Sequence, residues 1–331
     1  MRRVVYLIAL SIGCSLAAKA QVEPHFSQYY VYPLWLNPAL TGAHDGSYRA
    51  SAIYRNQWSS VTTPFETIGV SADVPTSSNL NIGANILRQT AGTAGYQYMN
   101  GQVSVSYSGV RLGKAGQHVF SFALQGGVIG RRFDMSKFQG GDQWEPIIGY
   151  NPGRPVSEVL TKTSSGVLDI GTGIAYYDAS EAKKVNFFGG FSAAHLTQPE
   201  DPFLSVGYKS KMPIRYTVHG GARIRLGDNA IAVPNVIYMT QGNATETVLG
   251  GYVQRSVNST ADVMAGVNYR VNDAVYPFVG LYIGGFLAAV SYDVNTSSLG
   301  QTARGAGTIE LSLTYTGKKP LQKTFMKCPR I

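Results

Sequence analysis

The chain has 331 residues, among them 38 Gly, 21 Tyr and 13 Phe; 14% are charged and 44% apolar, and the mean hydropathy is −0.04. This is too aromatic and too weakly charged for a disordered chain, and too polar for a bundle of membrane helices. The formal charge of +9 sits at the ends: with three bases in the first 20 residues and five after Gly317 set aside, 20 of the 28 bases remain against all 19 acids, so a nucleic-acid partner loses its basic footprint.

Residues 1–20 carry Arg2 and Arg3, an apolar stretch from Val4 to Ala18, and the small-x-small ending Ala18-Lys19-Ala20. That layout predicts a cleaved secretory signal, with the mature chain starting at Gln21. A retained anchor would need a longer apolar run, and a lipoprotein signal on Cys14 would need an aliphatic residue where Ser11 stands. After cleavage Cys328 is the sole cysteine, so no internal disulfide is available. The histidines, at 25, 44, 118, 195 and 219, are scattered, and neither a metal nor a cofactor is expected.

Residues 21–47 form a separate N-terminal segment, read as periplasmic or as a plug. Pro33 and Pro38 block regular pairing, Asn37 is placed for an Asx turn before Pro38, and the stretch is rich in large rings. So much aromatic surface left in water invites association. The segment is therefore expected to pack into or beneath the rest of the protein, with Tyr29, Tyr30, Trp35, Asn37 and Pro38 as plug or docking residues. The plainer alternative is a lead-in to the first strand.

From Tyr48 onward apolar and polar residues alternate with a period of two, as in Val103, Val105 and Tyr107 against Gln102, Ser104, Ser106 and Ser108. Strands are predicted at 48–58, 65–75, 80–90, 98–110, 118–131, 166–179, 184–195, 214–226, 230–241, 244–256, 261–272, 275–283, 286–295 and 305–316. An even set of about 14 strands, of 9 to 14 residues each, with one apolar and one polar face describes an all-β, transmembrane antiparallel β-barrel of a bacterial outer membrane. Its limits are 48–316, followed by a basic tail, 317–331. The longest connections, 132–165, 196–213 and 296–304, all fall on the outward-facing set. Two competitors lose. The uncharged run Ala274–Tyr292 approaches a membrane helix in length, but Pro277 and Gly284-Gly285 make it a hairpin. A soluble sandwich would carry more Lys and Glu on its outward face. Tyr54, Trp58, Tyr107, Tyr177, Tyr252, Tyr269, Tyr292 and Tyr315, near strand ends, are expected at headgroup level.

The polar face assigns Arg49, Arg55, His219, Arg223, Arg225, Arg270, Asp293 and Glu310 to the lumen, with Asp262 as a further counter-ion. Tying the wall together is their default role; a basic interior would instead favour anionic contents. Gly189, Gly190, Gly220 and Gly221 suggest bends or close approach by another segment. No catalytic constellation stands out: His219 is the only histidine placed mid-strand on the polar side, and no nucleophile is assigned to it. The chain is not expected to be an enzyme.

The segment FSQYYVYPLWLNPALTG (26–42), then YRNQW (54–58) and SADVP (71–75), resembles the opening of the PorP/SprF family of outer-membrane proteins of type IX secretion and gliding systems. VHGGARI (218–224), SYDVNTSSLG (291–300) and TIELSLTY (308–315) are also similar. The Ser-His-Glu that often closes the family is reduced here to Glu310, and the basic tail looks like an extension. The resemblance implies a non-enzymatic component that assists export or surface attachment of secreted proteins. Its implied partners are the secretion machinery, the cargo's C-terminal domain and outer-membrane lipid. A small-solute porin or transporter is the alternative, and a barrel enzyme the third.

Overall fold

The computed structural model describes residues 23–59, 63–92, 95–137, 139–145, 147–154, 162–200, 211–297 and 307–317. The predicted signal and all but the first residue of the basic tail lie outside these. The strands are β1 (Arg49–Gln57), β2 (Phe65–Val74), β3 (Leu80–Ala91), β4 (Tyr96–Leu112), β5 (His118–Arg132), a loop hairpin β6 (Trp144–Glu145) and β7 (Gly149–Tyr150), then β8 (Ser164–Asp178), β9 (Val185–Ala194), β10 (Arg215–Arg225), β11 (Ala230–Gln241), β12 (Ala244–Ser256), β13 (Ala261–Arg270), β14 (Ala274–Ile283), β15 (Phe286–Asn295) and β16 (Thr308–Thr316). Without the hairpin these are the fourteen strands read from the sequence, their ends shifted by no more than three residues.

All fourteen pair antiparallel with their neighbours, and β1 pairs with β16 from Arg49↔Thr316 to Gln57↔Thr308, closing the barrel. Closure leaves no edge, the condition for a sheet in lipid, where backbone groups find no water. Outward positions carry Val70, Val103, Leu124, Leu249 and Leu311, all exposed, between inward Ser, Asn, Gln and Thr. Among the described residues no helix is long and apolar enough to cross a membrane. The 274–292 run is the β14–β15 hairpin, turned by Gly284 and Gly285 with φ of +59° and +101°, a left-handed pair that glycine adopts without strain.

Long connections gather at one end of the barrel, which is therefore the outer end. The other end carries the start of β1 and the end of β16. Between β8 and β9 the ladder covers only Thr172–Tyr177 against Phe188–Ala193; further out, Leu196 N donates to the Ile170 carbonyl at 2.9 Å in place of strand pairing.

One expectation fails on the inner face. Tyr177 and Tyr252 are buried inside the barrel, and Trp58 lines a cavity at its outer mouth, because closeness to a strand end does not set which face a side chain takes; pleat parity and local backbone do.

Candidate functional site: the occupied lumen

The protein's core is the barrel interior, and the N-terminal segment supplies much of it. From Tyr29 to Leu40 it makes three short helical turns, Tyr29–Val31, Pro33–Leu36 and Pro38–Leu40. The prolines open the second and third, where a missing N–H costs nothing. Asn37 forms the Asx turn, its Oδ1 accepting from Ala39 N at 2.9 Å. Phe26, Tyr30, Tyr32 and Trp35 pack with Ile53, Leu87, Tyr98, Tyr252 and Phe278. Leu36, Ala39 and Leu40 pack with Val119, Ala175, Ile237 and Tyr276. Tyr32 and Leu34 are 1% and 0% exposed, the accessibility of a globular core.

Polar bonds hold the segment at four levels. At the outer mouth the Glu23 carboxylate accepts from Tyr98 Oη at 2.7 Å and from Arg215 Nη1 at 3.0 Å. It also lies 2.6 Å from His195 Nε2, while His195 Nδ1 is 3.0 Å from Asp169. With a carboxylate on each ring nitrogen, His195 favours the doubly protonated state. Burial alone would lower its pKa, but Glu23 and Asp169 raise it. Burial would likewise raise Glu23, yet His195 and Arg215 hold its carboxyl down at about 2.

One level in, Glu310 accepts the backbone N–H groups of Ser27 and Gln28 at 2.7 and 2.8 Å. Arg55 donates to Glu310, and to Ser27 Oγ at 2.8 Å. Ser27 Oγ donates to Asp293 at 2.7 Å, and Arg270 donates to Ser27 Oγ at 3.1 Å and to Asp273 at 2.8 Å. Midway, Asn37 Nδ2 donates to the Ile174 carbonyl at 3.0 Å and sits 3.1 Å from His219 Nε2. Gly190 gives it room: a Cβ there would stand 2.5 Å from Asn37 Nδ2 and 2.8 Å from the Ile174 carbonyl oxygen. At the inner end, Asp73 takes Arg49 at 2.9 Å and the Gly42 N–H at 2.7 Å, and Arg49 reaches the Leu40 carbonyl.

The structure thus brings Arg55, Arg270, Asp293 and Glu310 together around Ser27, sets His219 against Asn37, and places Arg49 at the inner end. Pro38 and Trp35 are buried, with Arg215 stacked over the Trp35 ring at 4.4 Å. Tyr29 donates to Asn235, and Tyr30 packs on Phe278 at 5.3 Å. Arg223 and Arg225 stand apart, beside a cavity at the inner rim; Arg225 is exposed and donates to the Glu181 carbonyl. The segment lies within the barrel rather than beneath it. Sequence reasoning missed Glu23, Asp73, Tyr98, Asp169, His195 and Arg215, which no local spacing links.

A family model described as type IX secretion system membrane protein PorP/SprF matches residues 18–315. The chain belongs to the PorP/SprF family. The residues that carry the family resemblance, in YRNQW, SADVP, VHGGARI and TIELSLTY, include Arg55, Asp73, His219 and Glu310, each bonded to the N-terminal segment. No curated protein matches the chain. Among solved structures it is similar to the Pseudomonas putida toluene transporter TodX, with TM-score 0.53 at 8% identity over 89% of this chain and 94% of that one. A TodX deltaS2S3 mutant, a monoaromatic hydrocarbon channel, gives 0.51 at 10% over 86% and 94%, and the Ralstonia pickettii toluene transporter TbuX gives 0.50 at 9% over 88% and 94%. At such identities the likeness is one of fold: an outer-membrane β-barrel.

Proposed function

We propose that this PorP/SprF protein is a non-enzymatic, closed barrel of the type IX secretion or gliding machinery, which helps export a secreted protein or hold it at the outer membrane. Its partners are the machinery and the C-terminal domain of the cargo, met at the barrel ends and long outer loops. The observation that carries this reading, beside family membership, is the packed interior: rings and aliphatic side chains at core-like burial, bonded to buried ion pairs at several levels, suit a rigid anchor better than a solute path.

The test pairs two measurements on the purified full-length protein. Planar bilayers are expected to show no steady open conductance, and a pull-down from detergent-solubilised membranes is expected to recover machinery or secreted cargo by mass spectrometry. A large constant conductance with neither recovered overturns the reading in favour of the porin or transporter alternative.

A further inference from the structure

At the outer mouth, above the Ser27 level, the barrel keeps a vestibule of about 540 Å³, within the range of small-molecule sites. We propose that it binds a neutral oligosaccharide, free or displayed on a surface glycan.

Three features define the ligand. First, one wall is aromatic. Trp58 and Phe65, both half-buried, face each other edge-on with ring centroids 5.4 Å apart. Trp58 has φ of +63°, a left-handed conformation that a bulky non-glycine residue adopts at a cost and that concentrates at binding sites. It is held by its N–H to the Gly307 carbonyl at 3.4 Å. Aromatic faces receive the apolar C–H faces of pyranose rings.

Second, the vestibule is set with amides and hydroxyls from three strands and a turn: Gln57, Gln89, Thr245, Thr247 and Asn272. Each amide offers both a donor and an acceptor, the pattern that neighbouring sugar hydroxyls require.

Third, the charges are already spent on one another. Arg270 pairs with Asp273 at 2.8 Å and lies 3.4 Å from Glu246. His25 is 3.2 Å from Glu246, Arg55 is paired with Glu310, and Glu23 is held by Arg215 and His195. A phosphate, carboxylate or metal ion would have to break a buried pair to enter, whereas an uncharged polyol would not. The aromatic wall, the amides and the neutralised floor together select a neutral sugar.

The experiment uses the full chain in detergent, titrated with mannotriose, cellotriose and galactotriose while tryptophan fluorescence and calorimetric heat are followed. Trigalacturonate and inorganic phosphate serve as charged comparators, and polysaccharide purified from the same outer membrane forms a second arm. Saturable binding of a neutral trisaccharide, with the charged comparators inert, is expected. Trp58→Ala should weaken it by at least about tenfold, and Gln57→Ala and Asn272→Ala should weaken it measurably. Binding in the trisaccharide arm alone assigns a free sugar; binding in the polysaccharide arm assigns a surface glycan. Heat-modifiable electrophoretic mobility reports the folded barrel; should Trp58→Ala fail that check, Gln57→Ala and Asn272→Ala decide. Absence of saturable binding in both arms, tighter binding of trigalacturonate or of phosphate, or binding indifferent to all three substitutions overturns the proposal. None of these outcomes depends on whether secretion partners co-purify.

Discussion

Replacing Glu310 with glutamine removes one charge at nearly constant volume. Glu310 is 0% exposed and receives two backbone N–H groups and the Arg55 guanidinium. An amide keeps one acceptor oxygen but turns an NH₂ toward a donor, leaving one N–H of the Ser27–Gln28 pair unmet and Arg55 short of a counter-charge. Breaking a buried pair from one side costs about 3–5 kcal/mol, of which a lost charge-assisted bond accounts for roughly 1.5–3. Asp293, 3.4 Å from Arg55, offsets part of this, so about 3 kcal/mol is expected. Denaturant unfolding in detergent, followed by the change in electrophoretic mobility, reads the global loss. Alkylation of a Ser27→Cys reporter reads release of the segment. Arg55→Met combined with Glu310→Gln should recover a substantial part of the loss, since the orphaned cation is gone. Glu310→Gln without effect on either measurement, or a double variant whose loss is the plain sum of the singles, refutes the idea that this carboxylate anchors the segment.

Gly190→Val should destabilise by about 1–3 kcal/mol through overpacking against Asn37 and the Ile174 carbonyl; Asn37→Ala in the same background should recover some of that, and thermal melting of the two proteins checks it. The Glu23–His195 contact is pH-dependent, and its two groups act in opposite senses. Glu23, depressed to about 2, contributes above the usual glutamate pKa and is lost as pH falls toward 2. His195, raised above 6.5, contributes fully below 6.5 and is lost as pH climbs through its raised value. Protection of the residues near Glu23 from hydrogen exchange should therefore be greatest between about pH 4.5 and 6.5 and fall on the alkaline side; His195→Gln should flatten that alkaline decline.

Strand positions were legible because lipid favours apolar residues at outward positions along each strand, while the inward neighbour is free to be Ser, Asn or Gln; Glu66 and Arg88, outward but close to the outer ends of β2 and β3, interrupt the alternation only at its margin. Gly284-Gly285 and Pro277 resolved the long uncharged run for a backbone reason that holds in any context. Inward-facing charges also follow from parity, which is what assigns Arg55, Asp293 and Glu310 to the lumen. Their convergence on Ser27 was not legible, because it depends on register across the β1–β16 closure and on how far the N-terminal segment climbs. Glu23 and Arg215 are 192 positions apart, and no periodicity reports such a meeting. Closeness to a strand end misplaces Tyr177 and Tyr252 because it carries no mark of face, and the neighbours that could correct it, Gly250-Gly251 and Tyr176, leave the alternation silent.

The seam between β1 and β16 joins positions 49 and 316, and the segment inside precedes β1 while reaching up to the far mouth. Residues 23–47 thus fill the cylinder that their own chain goes on to build, and the buried bonds of Ser27 and Gln28 to Glu310, and of Ser27 to Arg55, tie that filling to the last stave as well as to the first. Wall and filling are one covalent piece, so a blow that loosens the seam loosens the stopper with it.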